Sequence, residues 1–131
     1  MNTAFEPIKI GNFTLPNRFI MGSMHLGVEG ETGTAERMAA FYGRRFEANV
    51  GLIVTGGISV NEEGKGSRTF FNIQVPEHAA ELKKMNDLLS GKGNMCAQLF
   101  HAGRYAFDRG CVAPSAIRAP INRYIPRALT E

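Results

Sequence analysis

Cysteine is scarce in this chain, with two among 131 residues. Cys96 and Cys111 cannot build a disulfide framework or a four-thiolate metal site. Cys96 lies inside an apolar run and reads as a buried, inert thiol. No uninterrupted apolar stretch approaches the roughly 20 residues that a membrane helix needs. The N-terminus, MNTAFEPIKIG, lacks the basic start and apolar core of a secretory signal, which points to the cytoplasm. Strong charge is lacking as well: the formal net charge is +3. It is unevenly spread, since Arg104, Arg109, Arg118, Arg123 and Arg127 are opposed only by Asp108 and Glu131 after residue 103. Such a segment attracts an anionic ligand. Tyr105, Phe107 and Tyr124 interleave with it, but no RNP-like or zinc motif supports nucleic-acid binding, which is not expected. Gly64-Lys65-Gly66-Ser67 lacks the spacing and the following helix of a phosphate loop and is set aside.

What is present is 44% hydrophobic and 21% charged, ordinary for one soluble globular domain. Ile8-Lys9-Ile10 and Phe13-Thr14-Leu15 flank Gly11-Asn12, the pattern of a β-hairpin that Pro16 closes. Arg18 to Met24 is apolar on both faces until Ser23 and reads as a buried strand, with His25 after it. Thr34 is placed to cap a helix carrying Ala35, Met38, Ala39, Tyr42 and Phe46 at helical spacing, ended by Asn49 and Gly51. Leu52 to Thr55 is a second strand. Gly56-Gly57 then permits a bulge, a close backbone approach to a flat ligand, or a simple turn. A polar loop spans 61–75. Pro76 opens a second helix with Ala79, Leu82, Met85 and Leu89 inward and Glu81, Lys83 and Lys84 toward water, and His78 is expected at the surface. The third strand is Met95 to Phe100.

Strands separated by helices predict a parallel sheet with crossover connections. All three strands gather their unusual residues at the C-terminal end: Ser23, Met24 and His25 on the first, Gly57 on the second, Gln98 and His101 on the third, with Arg104 just beyond. In parallel α/β architectures that edge is where ligands bind. Beyond Arg104 the chain reads as a long loop with Pro114, Pro120 and Pro126, of the kind that serves as a lid or a binding loop. Thr130-Glu131 reads as a helix start, and with an unpaired sheet edge this predicts a parallel fold, open sheet or barrel, that is incomplete over residues 1–131.

MCAQLFHAGR followed by VAPSAIRAP resembles the Old Yellow Enzyme family of flavin-dependent oxidoreductases, and NRFIMGSMH and the Gly56-Gly57 pair agree. Within that family the GSMH strand, the Ala-Glu-Arg helix start and the APSAIRAPINR loop look most like the 2,4-dienoyl-CoA reductase branch of NADH:flavin oxidoreductases. The resemblance implies a TIM (β/α)₈ barrel with FMN at its C-terminal mouth, of which residues 1–131 are the N-terminal portion: hairpin, three strands, two helices. It implies that Ser23, Met24, His25, Gly57 and Gln98 contact the cofactor. Gln98 would hydrogen-bond the pyrimidine edge, whose acceptors and donor suit a primary amide, or else bond neighbouring backbone. His101 would hold its loop or donate a proton, and Arg104 would anchor the loop or touch a ligand.

By the same resemblance NAD(P)H is the reductant, and hydride passes through the flavin to an activated alkene, an unsaturated carbonyl or an enoyl thioester. The family's proton donors, phosphate-gripping loops and, in the reductase branch, iron–sulfur cysteines lie later in the barrel, so no catalytic residue is assigned within this chain. Two other readings stay open: a standalone α/β module binding an anionic small ligand without catalysis, and a half-barrel that oligomerises through its open edge.

Overall fold

The computed structural model describes residues 3–130. Strands β1 (Ile8–Ile10) and β2 (Phe13–Leu15) form the antiparallel hairpin, with Gly11 at a φ of 55° in its turn. A three-stranded parallel sheet in the order β3-β4-β5 follows, from β3 (Ile20–Met21), β4 (Leu52–Ser59) and β5 (Asn94–Phe100). Its connections contain helices α1 (Thr34–Glu47) and α2 (Pro76–Leu88). The helices cover one face of the sheet over β4 and the start of β5, beyond which Leu99 on the same face is 65% exposed. Ala35, Met38, Ala39, Tyr42 and Phe46 of α1 close a core with Ile53, Ile58, Met85 and Leu89, as their spacing required, while Met21, Leu82 and Met95 pack at its margin.

Side chains alternate along a strand, so Ile53 and Met95 on the helix side put Leu52, Val54, Cys96 and Gln98 on the other face. Nothing among the described residues covers that face at β5, and Cys96 is exposed. The expectation of a buried thiol is therefore wrong: an apolar run is buried on both faces only where both are covered. The same reason corrects the first strand. Its ladder is two residues long, and Phe19, Ile20 and Met24 are exposed.

Helix starts also differ from the local reading. Gly33, in the left-handed region, is the N-cap of α1, and the Thr34 hydroxyl donates backward to the Val28 carbonyl. Glu81 of α2 supplies the missing acceptor instead, taking the Ala35 N–H at 2.9 Å, so it does not face water. Glu36 pairs with Lys84, which holds its carboxyl below the usual range and raises the lysine, and this adds a second α1–α2 link. Asn49, at a φ of 62°, turns the chain out of α1. Gly51 is needed for a different reason: a β-carbon there would lie 2.8 Å from the Asn17 carbonyl oxygen.

His78 is half-buried rather than superficial, and its Nδ1 accepts the Asn72 N–H at 3.0 Å. Beyond Arg104 the loop is more ordered than its prolines imply, with a 3-10 turn at Gly103–Tyr105 and a short parallel pair, β6 (Val112–Ala113) with β7 (Arg127–Ala128). Asn122 braces it by donating to the Arg104 and Ala106 carbonyls. Thr130 lies outside any helix, and Glu131, the other half of the expected helix start, lies outside the described residues.

Tyr42 gives a first expected result. It is fully buried and its hydroxyl makes no well-formed hydrogen bond, so burial pushes the phenol above its usual range, partly offset by the nearby Gly56 backbone and reinforced by the Glu29 charge. Tyr42→Phe removes an unpaired polar atom and should leave the melting temperature within about 2 °C or raise it, as calorimetry would show.

Candidate functional site

The C-terminal ends of β4 and β5 are shaped by a bulge. Val54 pairs with Cys96, but the next pair is Gly57 with Gln98, so β4 spends one residue more than β5. Of the three roles open to Gly56-Gly57, the bulge is the one adopted, and the strand continues to Ser59 without interruption. A bulge disturbs ladder hydrogen bonds. Thr55 repairs this one: its Oγ1 accepts the Gln98 N–H at 3.2 Å and donates to the Gly56 carbonyl at 2.9 Å. Thr55 was not among the residues singled out by sequence. Its signal was a hydroxyl immediately before a glycine doublet at a strand end.

Packing forces glycine at position 56 and crowds position 57. A β-carbon on Gly57 would meet Phe100 at 3.1 Å and Phe70 at 3.3 Å, and one on Gly56 would lie 2.9 Å from the Met24 carbonyl oxygen. The loop glycines set aside as a false phosphate loop have the same origin. Gly64 lies under the His101 ring and Gly66 under Phe70 and Phe100, and the Ala102 N–H donates to the Gly64 carbonyl at 2.9 Å.

Ser23 and Gln98, 75 positions apart in sequence, meet at this edge, with the Ser23 hydroxyl donating to Gln98 Oε1 at 2.8 Å. The two are exposed, and the amide nitrogen of Gln98 has no partner among the described residues. Met24 follows, 43% exposed. His25 is half-buried. Its Nε2 lies 3.0 Å from Thr69 Oγ1, its ring packs on Phe70 with centroids 4.1 Å apart, and its Nδ1 lies 3.3 Å from Glu29 without a hydrogen bond. Glu29 is 2% exposed and accepts the N–H groups of Leu26 at 2.6 Å and Val28 at 2.9 Å. It is a loop-shaping residue that no local pattern announced.

His101 and Arg104 stand apart from that pair. Nδ1 of His101 accepts the Gly103 N–H at 3.0 Å, which holds the turn after β5. Arg104 forms no ion pair among the described residues, and its guanidinium lies 5.3 Å from the Tyr105 ring centre. No group of three potential metal ligands occurs among the described residues, and no described helix is long and apolar enough to cross a membrane.

The family model described as "NADH:flavin oxidoreductase / NADH oxidase family" matches residues 3–131. The chain is 35% identical to an NADPH dehydrogenase of Bacillus cytotoxicus, with 100% of this chain and 39% of that protein covered. It is 32% identical to a metal reductase of Desulforamulus reducens, with 100% and 20% covered. Among solved structures, an old yellow enzyme homologue from Zymomonas mobilis superposes with a TM-score of 0.85 at 29% identity, over 98% of this chain and 40% of that one. The chain thus spans between a fifth and two-fifths of the length of the curated relatives it matches.

Proposed function

Because the chain belongs to the NADH:flavin oxidoreductase / NADH oxidase family, we propose that it forms part of an FMN-dependent NAD(P)H oxidoreductase. In this reading residues 1–131 supply the first three strands of the (β/α)₈ barrel. Ser23, Met24, His25, Gly57 and Gln98 face the flavin, and the substrate is an activated alkene such as an unsaturated carbonyl or an enoyl thioester. The observation that carries it is the Ser23–Gln98 hydrogen bond at the C-terminal sheet edge, on the helix-free face. That uncovered face also supports the incomplete barrel, since in such a barrel it lines the interior.

The donor set fits the cofactor. Ser23 occupies Gln98 Oε1, which fixes the orientation of the amide and leaves its N–H₂ group to donate to a flavin carbonyl. Thr55 holds the Gln98 backbone from below, and Gly56 and Gly57 bring the bulged main chain to the site without side chains. His25, held against Phe70 and Thr69, fixes the wall beside Met24. When bound, FMN supplies the hydride chemistry, and these residues orient its ring.

Titration of the purified 131-residue chain with FMN, followed by its visible spectrum, tests the reading. Weak binding without NAD(P)H turnover is expected, and Gln98→Leu should weaken it about tenfold, the worth of roughly one hydrogen bond. FMN affinity unmoved by Gln98→Leu would remove the assignment. Stoichiometric binding with turnover would show that three strands suffice.

A further inference from the structure

A sizeable cavity lies near the C-terminal end of β5 without being lined by Ser23 or Gln98. It is a cleft of about 610 Å³ between the loop at 66–68, the turn after β5 and the segment 121–124. Its position ties it to the same sheet edge: Gly66 packs against Phe100 at the end of β5, and the Phe107 N–H donates to the Lys65 carbonyl at 2.8 Å. Charge and ring faces distinguish it. Arg68 and Arg123 line it, Arg109 reaches within 5.7 Å of the Tyr124 ring, and Asp108 is the one acid in its lining. None of these arginines forms an ion pair among the described residues, whereas nearby Lys65 and Arg127 are matched to Glu62 and Glu63. Asp108 is already engaged locally, accepting the Arg109 N–H. Tyr105 and Phe107 line it and are each about half exposed.

Unpaired guanidinium groups bind phosphate oxygens in pairs, and exposed rings stack on a nucleobase. The volume suits a compact ligand, since small-molecule sites span about 300–1,000 Å³. We propose that this cleft binds an adenosine diphosphate group, the shared tail of a nicotinamide dinucleotide and a coenzyme A thioester, and so anchors a substrate whose reactive end lies at the Gln98 edge. The proposal rests on the oxidoreductase reading for its choice of ligand. Its binding test is independent of FMN.

The probes are ADP, 2′-phospho-ADP for the dinucleotide tail and 3′-phospho-ADP for the coenzyme A tail, titrated calorimetrically into the full 131-residue chain. Saturable one-to-one binding is expected. The Arg68→Ala/Arg123→Ala double variant should weaken it by about twentyfold or more, and Arg68→Lys/Arg123→Lys by less. FMN affinity should not change in either variant. A preference between the two phosphorylated probes would identify the tail. Absence of ADP binding, or binding indifferent to the double alanine variant, would overturn the site. So would a poly(U) affinity more than about a hundredfold tighter with a steep salt dependence, because that describes a nucleic-acid track. FMN binding without ADP binding would sink this proposal alone, and the reverse outcome would sink the flavin assignment.

Discussion

Gly56→Ala is expected to lower the melting temperature by about 10 °C, corresponding to roughly 3 kcal/mol for a domain of this size. The added β-carbon would lie 2.9 Å from the Met24 carbonyl oxygen, 3.1 Å from Glu29 Oε1 and 3.2 Å from His25 Cα. Two of these neighbours are backbone and the third is a carboxylate locked by two amides, so none can swing away cheaply. Relief comes only from parting β4 from the segment that carries Met24 and His25, which opens the proposed cofactor wall. FMN affinity should therefore fall together with stability. Gly22→Ala is the matched control. A β-carbon there meets nothing within 4 Å, and its melting temperature should stay within about 2 °C of the parent. Equal losses in the two variants would show that crowding at Gly56 is not the cause.

Glu29→Ala should cost about 3 kcal/mol, measured by urea unfolding. The Glu29 carboxylate is the acceptor for the Leu26 and Val28 N–H groups, and it is 2% exposed. Truncation strands two donors and leaves a cavity beside Tyr42 and Gly56. Glu29→Gln keeps the volume and one acceptor oxygen, so roughly half the loss is expected. The two glutamate variants also separate shape from charge at His25, whose Nδ1 lies 3.3 Å from the carboxylate. If Glu29→Gln is as damaging as Glu29→Ala, the contribution lies in charge rather than in the two amide bonds.

Much of this organisation is legible from residue pattern. The hairpin around Gly11-Asn12, the α1 stripe from Ala35 to Phe46 and Pro76 at the start of α2 formed where their spacing places them, because each depends on neighbours within about one or two turns of chain. The clustering of Ser23, Gly57 and Gln98 at one sheet edge is also implied by strand order alone, since parallel strands align their C-terminal ends. Composition and patterning failed wherever the partner is distant. Thr34 has the right local chemistry for a cap, yet Glu81, 46 residues away, takes the Ala35 N–H. Cys96 sits in a hydrophobic run, yet its burial depends on a covering layer that the described residues do not supply.

The sequence by itself determined the order of the hairpin, the three sheet strands and the two helices, the parallel sheet and the residue types at the strand exits. Those features follow from local periodicity, turn chemistry and the connection rules that chain continuity imposes. Only the tertiary structure decided that Ser23 orients Gln98, that Thr55 repairs a bulge beneath it, and that Glu29 holds the loop behind His25. Each of the first two joins residues more than 40 positions apart, and the third pairs a buried carboxylate with amides that carry no sequence signal. A hydrogen bond of 2.8 Å is a constraint on three-dimensional placement, and residue pattern along the chain does not encode that distance.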